Sequence, residues 1–322
     1  FVGVANGDSG GQGRVVALDA ATGDIAWTFF VVPRPGEFGH DTWPQDSDVW
    51  QVGGGGVWLV GTVDPDLGMV YFATGNPVPM FGGEIRAGDN LFTASVLALD
   101  IETGQRRWHY QVVRHDVWDA DIATPLLLYE AQVDGQPRKA LAAMRADGFL
   151  FLFDRETGEF LWATPTIVQN VISGIDGATG VVSENAELVF TAAGQTVLAC
   201  PHASGGKDWE AGAYSPLTNT MYMPLRQTCA RMMAATEFED RPNEPNESRA
   251  AIYAIAYRHQ IAPGTENVGT IWAISAETGA TEWLYEQRAA TMSLVATGGR
   301  LLFGGDTNGR FRAFSQETGE IL

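Results

Sequence analysis

The chain has 322 residues, 34.7 kDa, with a formal net charge of −19 and a pI near 4.5. That balance excludes the phosphate backbone of nucleic acid and an anionic membrane surface as partners and favours cations instead. Thirty-eight glycines and ten tryptophans, with few long polar helix-forming stretches, predict an all-β protein of short strands joined by tight turns, with ample apolar residues for a core.

Taken along the chain, the predicted elements repeat. Ala17-Leu18-Asp19-Ala20-Ala21-Thr22-Gly23 is followed by Trp27, and the same unit returns as Ala98 to Gly104 with Trp108, Leu152 to Gly158 with Trp162, and Ala273 to Gly279 with Trp283. A fifth copy, Ala313 to Gly319, stops at Leu322, one residue before its expected Trp. Each unit reads as a β-hairpin. Apolar alternation enters an Asp or Ser that can bond amides across the turn, Thr-Gly supplies a left-handed position, and a second strand leaves carrying a Trp whose face is offered to the next unit. The turn Asp or Ser stands at 19, 100, 154, 275 and 315, intervals of 81, 54, 121 and 40 residues. Those intervals suit a unit of about 40 to 50 residues, a four-stranded propeller blade, with some copies degenerate. Gly56–Thr74, Ala192–Cys200 and Ala251–Tyr257 are read as strands of such copies, and 237–249, acidic and rich in Pro and Asn, as a long surface loop. One propeller domain over 1–322 is expected, with six to seven blades represented. Phe1 at the start and the truncated last repeat are read as the ends of an internal fragment; no stretch resembles a signal peptide or an apolar membrane span.

Within this pattern the densest chemistry lies at His115-Asp116-Val117-Trp118-Asp119-Ala120-Asp121. Three carboxylates, an imidazole and an indole in seven residues are too acidic for a core. On an extended backbone Asp119 and Asp121 point the same way and can share a cation, or one can act as base beside it; by itself the stretch also fits a solvated loop. His40, His109, His202 and His259 lack the spacing of a zinc or copper site. Cys200 and Cys229 fit a single disulfide or two buried thiols equally well.

The Trp-ended repeat, Gly75-Asn76-Pro77-Val78-Pro79, Gly88-Asp89-Asn90-Leu91-Phe92-Thr93 and His115-Asp116-Val117-Trp118-Asp119, in this order, resemble the quinoprotein alcohol dehydrogenases over essentially the whole chain. That resemblance implies an eight-bladed propeller, incomplete here, carrying pyrroloquinoline quinone (PQQ) and a cation, calcium with a lanthanide as alternative. It implies Asp8, Asn76, Asp119 and Asp121 as metal ligands, with Asp8 in place of the usual Glu. It further implies Trp58, at the end of the Gly53–Gly56 run, as the platform under the quinone, with Gly7, Asp208 and Trp209 also at the cofactor. Asp119 is the expected base, and Arg145 contacts the quinone oxygens with Asp119 as its charged partner. The resemblance also implies a Cys200–Cys229 disulfide, a periplasmic location, an alcohol or related hydroxyl substrate, and cytochrome c or a membrane quinone as electron acceptor. Arg288–Ser293 lacks the Trp that caps the pocket of methanol-oxidising members, so a substrate larger than methanol is expected. The alternatives are an aldose or polyol dehydrogenase of the same class and a non-catalytic scaffold propeller that kept only the repeat.

Overall fold

The computed structural model describes residues 1–5, 7, 10–80, 83–133, 135–190, 194–234 and 254–322. They form antiparallel meanders, and five of the sheets follow one another as propeller blades. The first blade is Val2–Val4, Arg14–Leu18 and Ile25–Phe30; the second is Thr62–Asp64, Met69–Ala73, Ser95–Asp100 and Arg106–Gln111. The third is Leu127–Val133, Gln136–Met144, Phe149–Asp154 and Phe160–Pro165. The fourth takes Ala213–Ser215, Thr220–Arg226, Gly269–Ser275 and Thr281–Gln287, and the fifth Thr291–Ala296, Leu301–Asp306 and Phe311–Ser315.

The repeat turns form as their side chains dictate. Asp19 Oδ1 accepts from the amides of Ala21 and Thr22 at 2.8 and 2.9 Å, and Asp100 and Asp154 do the same in their own turns. These amides hold the exposed Asp100 carboxyl down at about 2, helped by Arg107. The turn closes at a glycine with φ near +70 to +80°, which a Cβ would strain. Each tryptophan then docks on the turn of the following blade. Trp27 Nε1 donates to Ile101 O at 3.1 Å, Trp108 Nε1 to Arg155 O at 3.0 Å and Trp283 Nε1 to Gln316 O at 3.0 Å, with the rings over Gly104, Gly158 and Gly319. Trp162 lies over Gly279 in the same way, but its Nε1 has no partner. Between blades the core is aromatic and aliphatic, with Tyr71, Phe72, Leu97, Phe151 and Phe153 fully buried.

Two segments read as degenerate blade copies have another place. Thr196–Ala199 and Ala254–Ile261 flank Thr228–Ala234 in one separate three-stranded sheet. Alternation identified them as strands; it carries no information on which strand would pair with them. The Cys200–Cys229 disulfide ties this sheet together, joining neighbouring strands where Ala199 pairs with Ala230. A further copy of the turn, Asp176-Gly177-Ala178-Thr179-Gly180, closes the hairpin Ile172–Ile175/Val182–Glu184 with the same side-chain bonds. No Trp follows it, and the repeat is legible only from the turn. The stretch 237–249, expected as a surface loop, lies outside the described residues.

The Gly53–Gly56 run forms no regular strand. It threads between the first and second blades: Val57 N donates to Val4 O, Gly13 N to Gly54 O, Gly55 N to Asn76 O and Gly75 N to Gly56 O, all at 2.8 to 3.0 Å. A Cβ on Gly54 would sit 2.9 Å from Asn76 O, and one on Gly56 3.1 Å from Gly7 N. The glycines are therefore required by three backbones packed against one another, and this packing brings Gly7, Trp58 and Asn76 to one place.

Candidate active site

The 115–121 loop leaves the second blade after Arg106–Gln111 and enters the third before Leu127–Val133. Its fold is set by Asp116, which is 1% exposed and accepts from Trp118 N at 2.8 Å and Ala120 N at 2.9 Å. Burial pushes this carboxyl upward against those two bonds. His115 Nδ1 bonds Gly88 O at 2.8 Å, anchoring the start of the loop. Asp119 adopts φ +59°, a left-handed conformation that costs a non-glycine residue about 1 kcal/mol or more. Such strain at a polar side chain marks a position held for a purpose. The extended geometry expected for Asp119 and Asp121 is thus not what aligns them; a left-handed Asp119 followed by a bridge from Ile122 to Arg145 does so.

Both carboxylates line a cavity of about 520 Å³ whose wall also includes Gly7, Trp58, Asn76, Lys207 and Asp208. That volume lies within the usual range of small-molecule sites. Trp58 is 37% exposed and its Nε1 donates to Asp121 Oδ2 at 3.0 Å, so one indole and one carboxylate orient each other. Asn76 Nδ2 donates to Pro77 O at 3.2 Å, and among the described residues the side-chain oxygen accepts no hydrogen bond. Two carboxylates and an amide oxygen are the hard donors a calcium-like cation takes. Among the described residues no group of three or more His, Cys, Asp or Glu could hold a metal, and on the cavity wall the amide oxygen of Asn76 stands beside the two carboxylates as a third hard donor. Asp8, expected as a further ligand, lies outside the described residues.

Other expected residues stand elsewhere. Arg145 is fully buried and is not on the cavity wall, which its neighbour Ala146 lines instead. Its ion pair is with Asp147 at 2.7 Å, where Asp119 was expected, and Nη1 donates to Val112 O at 2.7 Å. A fully buried guanidinium takes its counter-ion from the carboxylate two residues away, which the same turn delivers. Arg145 Nε remains a buried donor with no partner. Trp209 is 54% exposed and outside the cavity wall, whereas Asp208 lies on it. Arg288–Ser293 is not part of the wall either.

Sequence reasoning passed over Lys207 and Glu184. Lys207 is 1% exposed and lines the cavity, its ammonium bonded to Asp208 O and Glu210 O. Glu184, at the end of the inserted hairpin, is pushed up to about 8 by burial and by the Asp116 and Asp147 charges. The only hint for Lys207 was its place between Gly205-Gly206 and Asp208 in a chain with two lysines; nothing local marked Glu184.

Trp-docked blades thus surround a cavity that combines an indole, hard oxygen donors and close-packed glycine backbone. Residues 3–171 match the PQQ family described as "Glucose/ethanol/alcohol dehydrogenase, beta-propeller domain", and the chain belongs to that family. It is 31% identical over 347 residues to the quinohemoprotein alcohol dehydrogenase ADH-IIG of Pseudomonas putida, covering 100% of this chain and 47% of that protein. The quinohemoprotein alcohol dehydrogenase structure from Comamonas testosteroni superimposes with a TM-score of 0.89 at 27% identity, over 99% of this chain and 50% of that one. A europium-containing methanol dehydrogenase gives a TM-score of 0.89 at 28% identity, over 99% of this chain and 58% of that one. The chain spans about half the length of the curated relatives it matches.

Proposed function

We propose that the cavity holds PQQ and one hard cation, and that the whole protein oxidises a primary alcohol or related hydroxyl to the carbonyl in the periplasm, passing electrons to cytochrome c or a membrane quinone. The observation that carries this reading is the meeting of Trp58, Asn76, Asp119 and Asp121 on one cavity from two blades and the loops between them. A scaffold propeller that kept only the repeat has no reason to bring these four side chains onto one cavity wall.

When bound, the quinone supplies the two-electron acceptor for hydride from the substrate carbon, and the cation supplies Lewis acidity. Asn76, Asp119 and Asp121 would hold the cation, and the sequence adds Asp8 to that set. Trp58 offers its ring as the flat support, oriented by the bond to Asp121. Asp119 takes the hydroxyl proton as general base. Arg145, paired with Asp147, acts by charge from behind the wall, and Gly7 and Asp208 complete the pocket, with Trp209 at its outer rim. Calcium fits the donor set, and a lanthanide is the alternative because Asp121 adds a second loop carboxylate. Without a capping Trp in Arg288–Ser293, substrates larger than methanol, aldoses and polyols included, belong in the assay.

The test is Asp119→Asn in the full-length protein. It keeps a cation-binding oxygen and removes the base. PQQ is expected to stay bound while dye-coupled alcohol oxidation falls by at least about a hundredfold. Substantial turnover in that variant, with cofactor bound, would refute Asp119 as the base.

A further inference from the structure

The cavity wall is acidic, with Asp119, Asp121 and Asp208, and among the described residues Lys207 is its one basic side chain. The loop that carries Lys207 is fixed from behind. Gly206 N and Lys207 N both donate to Ala146 O, at 2.8 and 3.1 Å, Arg226 N donates to Gly206 O at 2.7 Å, and Gly205 takes φ +71°. Two of the three ammonium donors go to main-chain oxygens of Asp208 and Glu210. The Glu210 carboxylate is engaged by Arg226, and no carboxylate lies within ion-pair distance of Lys207 Nζ among the described residues. Burial brings this lysine down to about 7, with Asp208 opposing and Arg226 reinforcing the shift. A buried ammonium that meets no counter-ion among the described residues is costly, and one clamped at a cavity wall by two main-chain oxygens, with no third partner among those residues, offers a place for an anion.

We propose that Lys207 is the anion-holding residue of the cavity, meeting an anionic oxygen of the quinone cofactor. The inference rests on the cofactor reading above and adds a residue to it. Two sources of that oxygen exist: a carboxylate of PQQ, or a ring oxygen that gains charge on reduction. Arg145, fully buried, paired with Asp147 and off the cavity wall, does not touch that oxygen.

The experiment compares the full-length protein with Lys207→Gln, which keeps donors and loses the charge, and Lys207→Arg, which keeps the charge. Binding of PQQ and of its trimethyl ester is followed by tryptophan fluorescence. If the partner is a carboxylate, Lys207→Gln binds PQQ about tenfold more weakly, binds the ester unchanged, and Lys207→Arg restores most of the loss. If it is a ring oxygen, Lys207→Gln lowers the midpoint potential of the bound cofactor by about 30 mV, a tenfold change for a two-electron couple. A purely structural role would weaken acid and ester alike and leave the potential in place. Affinity within twofold, together with an unshifted potential, overturns the assignment. Because the chain has only Lys139 and Lys207, ¹⁵N-lysine NMR of the unsubstituted protein gives a second test that needs no variant. The buried Nζ resonance must move on PQQ addition, and an unmoved resonance overturns the assignment. Failure of the unsubstituted protein to bind PQQ refutes the quinone reading itself, whereas equal binding and an equal potential in all three proteins refute only the role of Lys207.

Discussion

Gly23 and Gly158 occupy the same position in two copies of the repeat turn, with φ of +78° and +79°. Changing either to Ala imposes the same left-handed strain, about 1 to 2 kcal/mol, and the same reduction of unfolded-chain entropy. Their surroundings differ. A Cβ on Gly23 meets nothing within 4 Å, whereas one on Gly158 lies 2.8 Å from two carbons of the Trp108 indole. Trp108 is 7% exposed and bonds Arg155 O at 3.0 Å, so it has little room to retreat. Displacing it costs about 1 to 3 kcal/mol in packing and about 1 kcal/mol for the stretched hydrogen bond. Gly158→Ala is therefore expected to destabilise by about 2 to 4 kcal/mol more than Gly23→Ala. Urea unfolding of both variants gives the difference directly, as a change of midpoint at constant slope. A difference under about 0.5 kcal/mol would refute the docking argument, since the strain is common to both. The second and third blades, whose interface Trp108 forms, also frame the 115–121 loop, and Gly158→Ala should weaken cofactor retention where Gly23→Ala does not.

Trp58→Phe keeps a flat ring and removes the donor to Asp121; about 1 kcal/mol is expected at this half-exposed site, a roughly fivefold loss of cation affinity by calorimetry, and an unchanged affinity would contradict the Trp58–Asp121 bond. Burial holds His109 and His202 down at about 4, His109 also through Arg106 and His202 also through His259. With folded values below the ordinary 6.5, both residues stabilise the neutral-pH fold, and that stability is full above about 6.5 and lost as pH falls through about 4. Each contributes at most about 3 kcal/mol by this linkage, and His202→Gln should flatten the fall in unfolding free energy between pH 6.5 and 4; an identical pH slope would remove His202 from the account.

Much of the architecture was legible because its determinants are local. An Asp that bonds two amides, a Thr-Gly that turns the chain and a Trp at fixed distance recur within eleven residues, and repetition turned a weak hairpin signal into a propeller. The same logic explains what was missed. The hairpin at Asp176 keeps the turn but has no Trp, and Thr196–Ala199 looked like any blade strand because alternation is silent about partners. At the site, the family motifs named Trp58, Asn76, Asp119 and Asp121 as cofactor and metal residues, and the structure has these four lining one cavity; the motifs put Asp119 beside Arg145, where the structure has Asp147.

From the sequence alone came the strand content, the turns, the Trp repeat and the acidic loop as the likeliest seat of chemistry, all readable from near neighbours along the chain. The tertiary structure alone decided that Gly53–Gly56 serves three backbones packed together, that Arg145 answers Asp147, and that Lys207 reaches a cavity wall with no counter-ion among the described residues. Those facts depend on which distant segments meet and on how much water they exclude, and burial and ion pairing are properties of that meeting.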